Sequence, residues 1–289
     1  MTIQKFAVIA TIPALIAAGL LFFRSPVVLV TDAQFALLYG KERLASQRIE
    51  LSLTLWRRVR FIFIAENINA DLVVFAVESA LDSPFCVLFP YRYADGAELY
   101  AEQFPAAKVM ILGGRISDQE ERTIPVVTSD FLTDLYRAGL CAALLAADNP
   151  DKPIVVFQDI PLLPEQQQAF SAGLSQQGYT AEPVFIQNTA PQDSACAVII
   201  GSNQLNTFLT QNYSTPIILF SWIDPALSSR QIKLIFDDSD LRLAIQAIRQ
   251  MQKQKYPTLP SYITIISERI SQKRLLTILK NAVHSIRPR

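Results

Sequence analysis

Short apolar runs alternate with amphipathic helical stretches along almost the whole chain after Pro26. Residues 27–32 (VVLVTD) form a short run rich in β-branched side chains, which predicts a buried strand, and a helical stretch follows to about Leu55. The same order recurs, with VRFIFIAEN, FCVLFPY, KVMILGG and IPVVTSD as the next strands. Because strands that alternate with helices usually form right-handed crossovers between parallel neighbours, the pattern predicts an α/β fold.

A second series of the same kind begins with the helical stretch DFLTDLYRAGLCAALLAADN, residues 130–149, which Ser129 or Asp130 is expected to cap. The strands predicted after it are KPIVVFQD, EPVFIQN, ACAVIIGS, PIILFSW, IKLIFDD and YITIIS. One side of the helix carries only small residues: Ala138, Gly139, Ala142, Ala143 and Ala146. Since small side chains allow close approach, we expect this helix to lie flat on the second sheet.

The two series predict two doubly wound parallel-sheet lobes joined by a hinge. Lobe 1 is expected to contain residues 26–128 plus about 224–255, and lobe 2 residues 129–223 plus about 256–289. The chain would then cross between lobes near residues 128–130, 221–224 and 256–260. From Glu268 onward the sequence predicts a basic amphipathic helix. Its basic face is either solvated or docks on an acidic partner or an anionic membrane surface.

The first 25 residues are interpreted as a signal anchor or a signal peptide. From Phe6 to Phe23 the chain carries no charge, and at about 1.5 Å per residue this stretch is long enough for a thin bilayer core. Cleavage after the small residues at Ala17–Gly19 remains the alternative to an uncleaved anchor. Either interpretation places the following domain on the periplasmic or extracellular side of a bacterial cell membrane.

Composition and charge argue against several classes of function. Lys plus Arg and Asp plus Glu both number 26, so the net charge of zero gives no general attraction to nucleic acid. The three cysteines occupy apolar contexts, and the only histidine is His284 in the basic tail. There is no phosphate-binding glycine motif and no metal-ligand spacing, and the aspartates at 237–240 are typical of a helix cap. We therefore expect neither an enzyme nor a cofactor or metal.

Polar and aromatic residues follow the predicted strands, where open α/β sheets bind ligands. Stacking rings, carboxylates and amides together suit a sugar, a nucleoside or another neutral polar molecule. Arg137, midway along its helix, is interpreted instead as a surface or salt-bridging residue. The candidate ligand-binding residues are Asp32, Phe35, Asn67, Tyr91, Arg92, Asp159, Asn203, Trp222 and Asp224.

The order of elements, with IVVFQD, AFSAGLSQQG, ACAVIIGSNQL and PIILFSWID in sequence, resembles the type 1 periplasmic binding proteins over residues 26 to about 266. Within that superfamily the chain looks like a divergent relative of the ribose-binding-like receptors and of the basic membrane protein group of nucleoside-binding receptors. The resemblance implies a solute-binding protein that closes its lobes on a nucleoside or sugar-like ligand. It also implies an importer permease or a membrane sensor as the partner.

Two departures from the family pattern support a different hypothesis. Residues 164–170 read PEQQQAF and lack the arginine that sugar-binding members place there, and TDAQFALLYGKE lacks the Asp-x-Ser-Phe-Asn element of the nucleoside group. The alternative is a degenerate binding-protein fold that acts as a structural or protein-interaction module without a ligand.

Overall fold

A computed structural model describes most of the chain between residues 23 and 266. The described residues are 19, 23–32, 40–65, 68–80, 83–113, 122–158, 160–187, 194–200, 214–220, 230–237, 239–251, 261–266, 273, 277 and 280.

Eleven strands and six helices lie in this part of the chain. The strands are β1 Val27–Asp32, β2 Val59–Ile64, β3 Cys86–Pro90, β4 Val109–Leu112, β5 Val126–Val127, β6 Ile154–Gln158, β7 Val184–Ile186, β8 Cys196–Ile200, β9 Ile217–Phe220, β10 Ile232–Asp237 and β11 Tyr262–Ile265. The helices are α1 Lys41–Leu55, α2 Ala70–Ser79, α3 Ala94–Gln103, α4 Phe131–Leu145, α5 Pro164–Gln176 and α6 Asp240–Met251, with a short 3₁₀ turn at Tyr91–Tyr93.

The chain divides into two compact α/β units, as the alternating pattern predicts. Unit 1 contains residues 1–128 and 240–258, and unit 2 contains residues 129–239 and 259–289. The sheet of unit 1 has the strand order β2-β1-β3-β4-β5, and all its pairs are parallel. The sheet of unit 2 has the order β11-β10-β9-β8-β6-β7.

Unit 1 is wound on both faces of its sheet. Leu51 of α1 and Ala244 of α6 share a core cluster with Leu29 of β1, whereas Val77 of α2 packs in a second cluster with Val30. Successive β1 side chains therefore point to opposite faces and are buried on both. This explains why β1 is a continuous apolar run and not an alternating one.

The predicted crossing at residues 221–224 is wrong. The chain leaves unit 2 between Ser239 and Asp240, so the residues assigned to lobe 1 from 224 onward include a strand of unit 2. That strand, β10, pairs in parallel with β9 and is bonded to β11 on its other side. Its apolar run looks the same from sequence in either lobe, and only its hydrogen-bond partners decide the assignment.

The last strand departs from the all-parallel prediction, because β11 runs antiparallel to β10. A parallel connection needs a crossover helix packed on the same sheet. The helix between these two strands is α6, whose buried residues Leu241, Ala244 and Ile248 belong to the core of unit 1. No crossover helix on its own sheet therefore fixes the direction of β11.

The small-residue side of α4 has two neighbours, of which the sequence predicted only one. Asp130 caps the helix as expected, since its Oδ1 accepts a hydrogen bond from Thr133 N at 3.0 Å. Ala138 and Ala142 pack in the core cluster that includes the sheet residue Val156. Gly139, however, lies against α5, where an added methyl group would sit 2.2 Å from the Phe170 carbonyl oxygen.

The contact between α4 and α5 is reciprocal. A methyl group added at Gly173 of α5 would lie 2.1 Å from the carbonyl oxygen of Tyr136 in α4. The two backbones therefore touch at two glycines, with no room for a side chain on either side.

No helix among the described residues is long and apolar enough to cross a membrane. The stretch Phe6–Phe23 falls outside that part except at Gly19 and Phe23, and the predicted basic helix is described only at Lys273, Thr277 and Lys280, all exposed.

We expect Gly139→Ala and Gly173→Ala each to lower the free energy of unfolding by about 2–4 kcal/mol, since the new methyl group must displace backbone. The sign is informative, because alanine in place of glycine inside a helix otherwise stabilises by up to about 1 kcal/mol. Urea denaturation measures the change, with Ala172→Ser on the exposed side of α5 as the control. A Gly173→Ala protein as stable as the wild type would contradict the close approach.

Candidate functional site

The carboxyl edge of the unit 1 sheet brings predicted site residues together. Asp32 is the last residue of β1, and Tyr91 directly follows β3. These strands are parallel neighbours with Leu29 opposite Leu88, so extending the register places Asp32 level with Tyr91. The observed pairing therefore places the ends of these two strands next to each other.

Tyr91 and Arg92 form a single 3₁₀ turn between β3 and α3. Pro90 enters the turn in an extended conformation, with φ −59° and ψ 149°, and α3 begins directly after the turn at Ala94. Tyr91 is half-buried and Arg92 is exposed, with its guanidinium 5.6 Å from the centre of the Tyr93 ring. A phenol and a guanidinium thus lie at the edge where a ligand could reach them.

A cluster around Arg122 supports this turn, and no pattern in the sequence predicted it. Arg122 Nη1 lies 2.8 Å from Asp95 Oδ1 and 3.0 Å from Glu98 Oε2, both in α3. Its guanidinium is 5.8 Å from the centre of the Tyr91 ring. The hydrogen bond with Asp95 is the main cause that raises the pKa of Arg122 above its ordinary value. The partners are 27 and 24 residues away in sequence, so no local spacing signals the cluster.

The carboxyl edge of unit 2 is described at fewer positions. β6 ends at Gln158, which is buried and whose Oε1 accepts a hydrogen bond from Leu162 N at 2.9 Å. This amide therefore holds the loop that leads into α5. Trp222 follows the end of β9 at Phe220 by two positions in the sequence.

Six of the nine predicted site residues lie outside the described residues, and for Asp32 only the backbone is described. The six are Phe35, Asn67, Asp159, Asn203, Trp222 and Asp224. Their assignment to the site stays a prediction.

Unit 2 also contains a groove that none of the predicted residues line. It has a volume of about 770 Å³ and lies between α5 and residues 178–185. Gln167, Ser171, Thr180 and Glu182 give it a partly polar lining. It contains none of the carboxyl strand ends where this type of sheet binds ligands.

A buried ionic cluster joins the beginning of α4 to the beginning of β11 within unit 2. Both carboxylate oxygens of Asp134 accept from Ser261 N, at 2.9 and 3.0 Å. Arg137 Nη1 donates to Asp134 Oδ1 at 3.0 Å and to the Ser261 carbonyl oxygen at 2.9 Å. Arg137 is thus a salt-bridging residue, and it is buried.

The environment of Asp134 shifts its titration. Burial raises the pKa of this carboxyl to about 6, although the hydrogen bonds from Ser261 and the charge of Arg137 oppose the shift. The carboxylate is therefore ionised at neutral pH, and its burial in that charged form carries a desolvation cost.

The three cysteine thiols are poorly suited to act as nucleophiles. Cys86, Cys141 and Cys196 are all unpaired and buried. Burial raises the pKa of the Cys86 and Cys141 thiols to about 12 and that of Cys196 still further, so thiolates are scarce at neutral pH. Within the described residues no group of three potential metal ligands occurs.

Comparison with solved structures identifies the fold. A solute-binding protein of an ABC transporter from Conexibacter woesei superposes with a TM-score of 0.58 at 14% identity, covering 92% of this chain and 99% of its own. A periplasmic solute-binding protein from Actinobacillus succinogenes with bound D-allose gives 0.53 at 12% identity, covering 85% and 99%. A transcriptional activator of the comK gene from Bacillus halodurans gives 0.55 at 10% identity, covering 92% and 100%.

No protein-family model matches the sequence, and no curated protein matches it. The solved structures confirm the predicted resemblance to the type 1 periplasmic binding proteins at the level of the fold. These relatives are binding proteins and transcription regulators rather than enzymes.

The raised pKa of Asp134 predicts a specific pH dependence of stability. Because the folded protein binds this proton more tightly than the unfolded chain, stability gained from protonation is fully present below about pH 4 and is lost as the pH rises through about 6. Asp134→Asn should remove this contribution, which is at most about 3 kcal/mol. Urea unfolding of both proteins between pH 4 and 7 measures the difference.

The matched control is Asp151→Asn, which removes an exposed carboxylate from the same unit. If Asp134→Asn changes stability by the same amount at pH 4 and pH 7, the carboxyl does not titrate as described.

Proposed function

We propose that this chain is an extracytoplasmic solute-binding protein that captures a small, neutral, polar ligand such as a sugar or a nucleoside. The ligand would bind at the carboxyl ends of the strands, where open α/β sheets bind their ligands. The observation that carries the proposal is that Asp32, Tyr91 and Arg92 lie at the carboxyl edge of the unit 1 sheet. The other polar and aromatic residues of the proposed set follow strands in the sequence.

The chemistry of these edges suits hydroxylated ligands. Tyr91 and Trp222 offer flat apolar faces to a sugar ring or a base, while Asp32 and Asp159 accept hydrogen bonds from hydroxyl groups. Arg92 and Asn203 add donors, and Phe35, Asn67 and Asp224 complete the proposed set. The relative solved with D-allose supports this ligand class.

The apolar stretch Phe6–Phe23 supports a location at the cell membrane. We infer that it anchors the chain, with the two units on the periplasmic or extracellular side. The ligand would then pass to an importer permease or a membrane sensor.

One observation favours a second function, an interaction module with no ligand. Two polar groups near the carboxyl edges are engaged by the protein itself: the Gln158 amide accepts from Leu162 N, and the Tyr91 ring lies below Arg122. The missing arginine in PEQQQAF points the same way.

A ligand screen separates the two functions. We expect a pentose, a hexose or a nucleoside to raise the melting temperature of the purified protein and to bind saturably by calorimetry. Trp222→Phe should weaken this binding by about ten- to a hundredfold, because a stacking ring contributes roughly 1–3 kcal/mol.

Trp56→Phe is the control, since Trp56 is the other of the two indoles and follows α1 at the opposite edge of the unit 1 sheet. Equal loss of affinity in both variants would argue against Trp222 as a contact. Absence of any thermal shift across sugars, nucleosides and amino acids would overturn solute capture and favour the interaction module.

A further inference from the structure

The amino edge of the unit 1 sheet, opposite the proposed ligand site, is basic and aromatic. It is formed by the residues that precede the strands of unit 1 and by the carboxyl ends of its helices. Its exposed or half-buried residues include Phe23, Arg24, Trp56, Arg57, Phe85 and Lys108. We call them the basic edge.

The cations of the basic edge converge. Arg24 Nη1 lies 3.4 Å from the Trp56 carbonyl oxygen, and Arg57 Nη1 donates to the Ser25 carbonyl oxygen at 3.2 Å. The Arg57 guanidinium lies 3.7 Å from the centre of the Phe85 ring, and the Lys108 ammonium lies 5.0 Å from the same centre. Burial and the neighbouring charge of Arg24 lower the pKa of Arg57, in keeping with cations held close together.

These cations are not neutralised within the described part of the chain. There, Arg24, Arg57 and Lys108 have no carboxylate within 4.0 Å, whereas Arg122 and Arg242 of the same unit pair with Asp95 and Glu50. The basic edge therefore retains a positive potential that an anionic surface would complement.

The aromatic residues of the basic edge are exposed. Trp56 ends α1 in the left-handed conformation, with φ 52°, and leaves 52% of its surface accessible. Phe23 is 93% exposed. Since left-handed helix ends usually employ glycine, a tryptophan at this position accepts backbone strain while it holds an indole at the surface. Indole rings beside cations are typical of the membrane–water interface.

The basic edge adjoins the apolar stretch in the sequence, and this indicates which anionic surface it would bind. Phe23 is the last residue of the uncharged run Phe6–Phe23, and Arg24 follows it directly. We propose that the basic edge lies on the membrane and binds the headgroups of anionic lipids, with Phe23 and Trp56 in the interfacial layer. This inference rests on the proposed role of residues 6–23 as a membrane anchor.

The arrangement fixes the distance of the ligand site from the membrane. The unit 1 strands run from the basic edge to the edge that carries Asp32 and Tyr91. β1 has six residues, so at about 3.3 Å per residue the two edges are roughly 20 Å apart. The ligand-binding edge of unit 1 would thus face away from the lipid, where solutes arrive.

The test uses the full chain with Trp222→Phe, which leaves Trp56 as the only indole. The protein is reconstituted into phosphatidylcholine vesicles with or without phosphatidylglycerol, each containing a lipid brominated near its headgroup. We expect quenching of Trp56 fluorescence that is strong with phosphatidylglycerol and decreases at high salt. Arg24→Gln combined with Lys108→Gln should reduce the docked-to-free ratio about fivefold per cation, or roughly twenty-five-fold for the pair.

The matched control is Arg48→Gln combined with Arg242→Gln, which removes two cations from helices α1 and α6 of the same unit and should leave quenching unchanged. Equal quenching in both vesicle types, or in both double variants, would overturn the inference and favour an acidic protein as the partner of the basic edge.

Flotation of the same samples with the vesicles tests the proposed anchor separately from the quenching result. A chain that floats with vesicles but shows no quenching retains the anchor and contradicts only the membrane-facing edge. A chain that does not float contradicts both. Calorimetry of the wild-type protein with sugars and nucleosides tests solute capture independently of either outcome.

Discussion

The architecture of unit 2 depends on the hydrogen bonds that the buried carboxylate of Asp134 forms with the Ser261 backbone. Unit 2 is built from two separate segments of chain, because residues 240–258 belong to unit 1. Asp134 and Arg137, at the start of the first segment, bind both the amide and the carbonyl of Ser261, at the start of the second. The cost of burying this pair is partly offset by the hydrogen bond between its two members and by three hydrogen bonds with the Ser261 backbone, which restrict the returning chain.

Most of the fold could be predicted from sequence, because each strand is a short apolar run and a helical stretch separates most of these runs. The prediction failed where the identity of an element depends on its partners. β10 has the same pattern in either lobe, and β11 changes direction because α6 lies in the other unit. Similarly, the small side of α4 predicted close packing but did not reveal that Gly173 of α5 was one of its partners.

The candidate site was predicted less completely, for a related reason. Asp32 ends one strand, and Tyr91 and Arg92 follow another, so this local rule placed all three at one edge of a sheet. Arg122 follows no strand, and its role arises from Asp95 and Glu98 on a helix far away in sequence. Gln158 is the last residue of a strand, yet its side chain holds a loop of its own unit. Residues that support a site are thus harder to recognise from sequence than residues that line it.

The position of β1 has a mechanical consequence for a chain held at its amino end. β1 is the first strand after the proposed anchor, and it is bonded in parallel to β2 on one side and β3 on the other. A force transmitted through Arg24 would act along the strand and load both ladders in shear, so many hydrogen bonds would have to break together. A strand at the edge of the sheet would instead detach from a single neighbour. The proposed anchor would therefore be connected to a strand that is well placed to resist extraction.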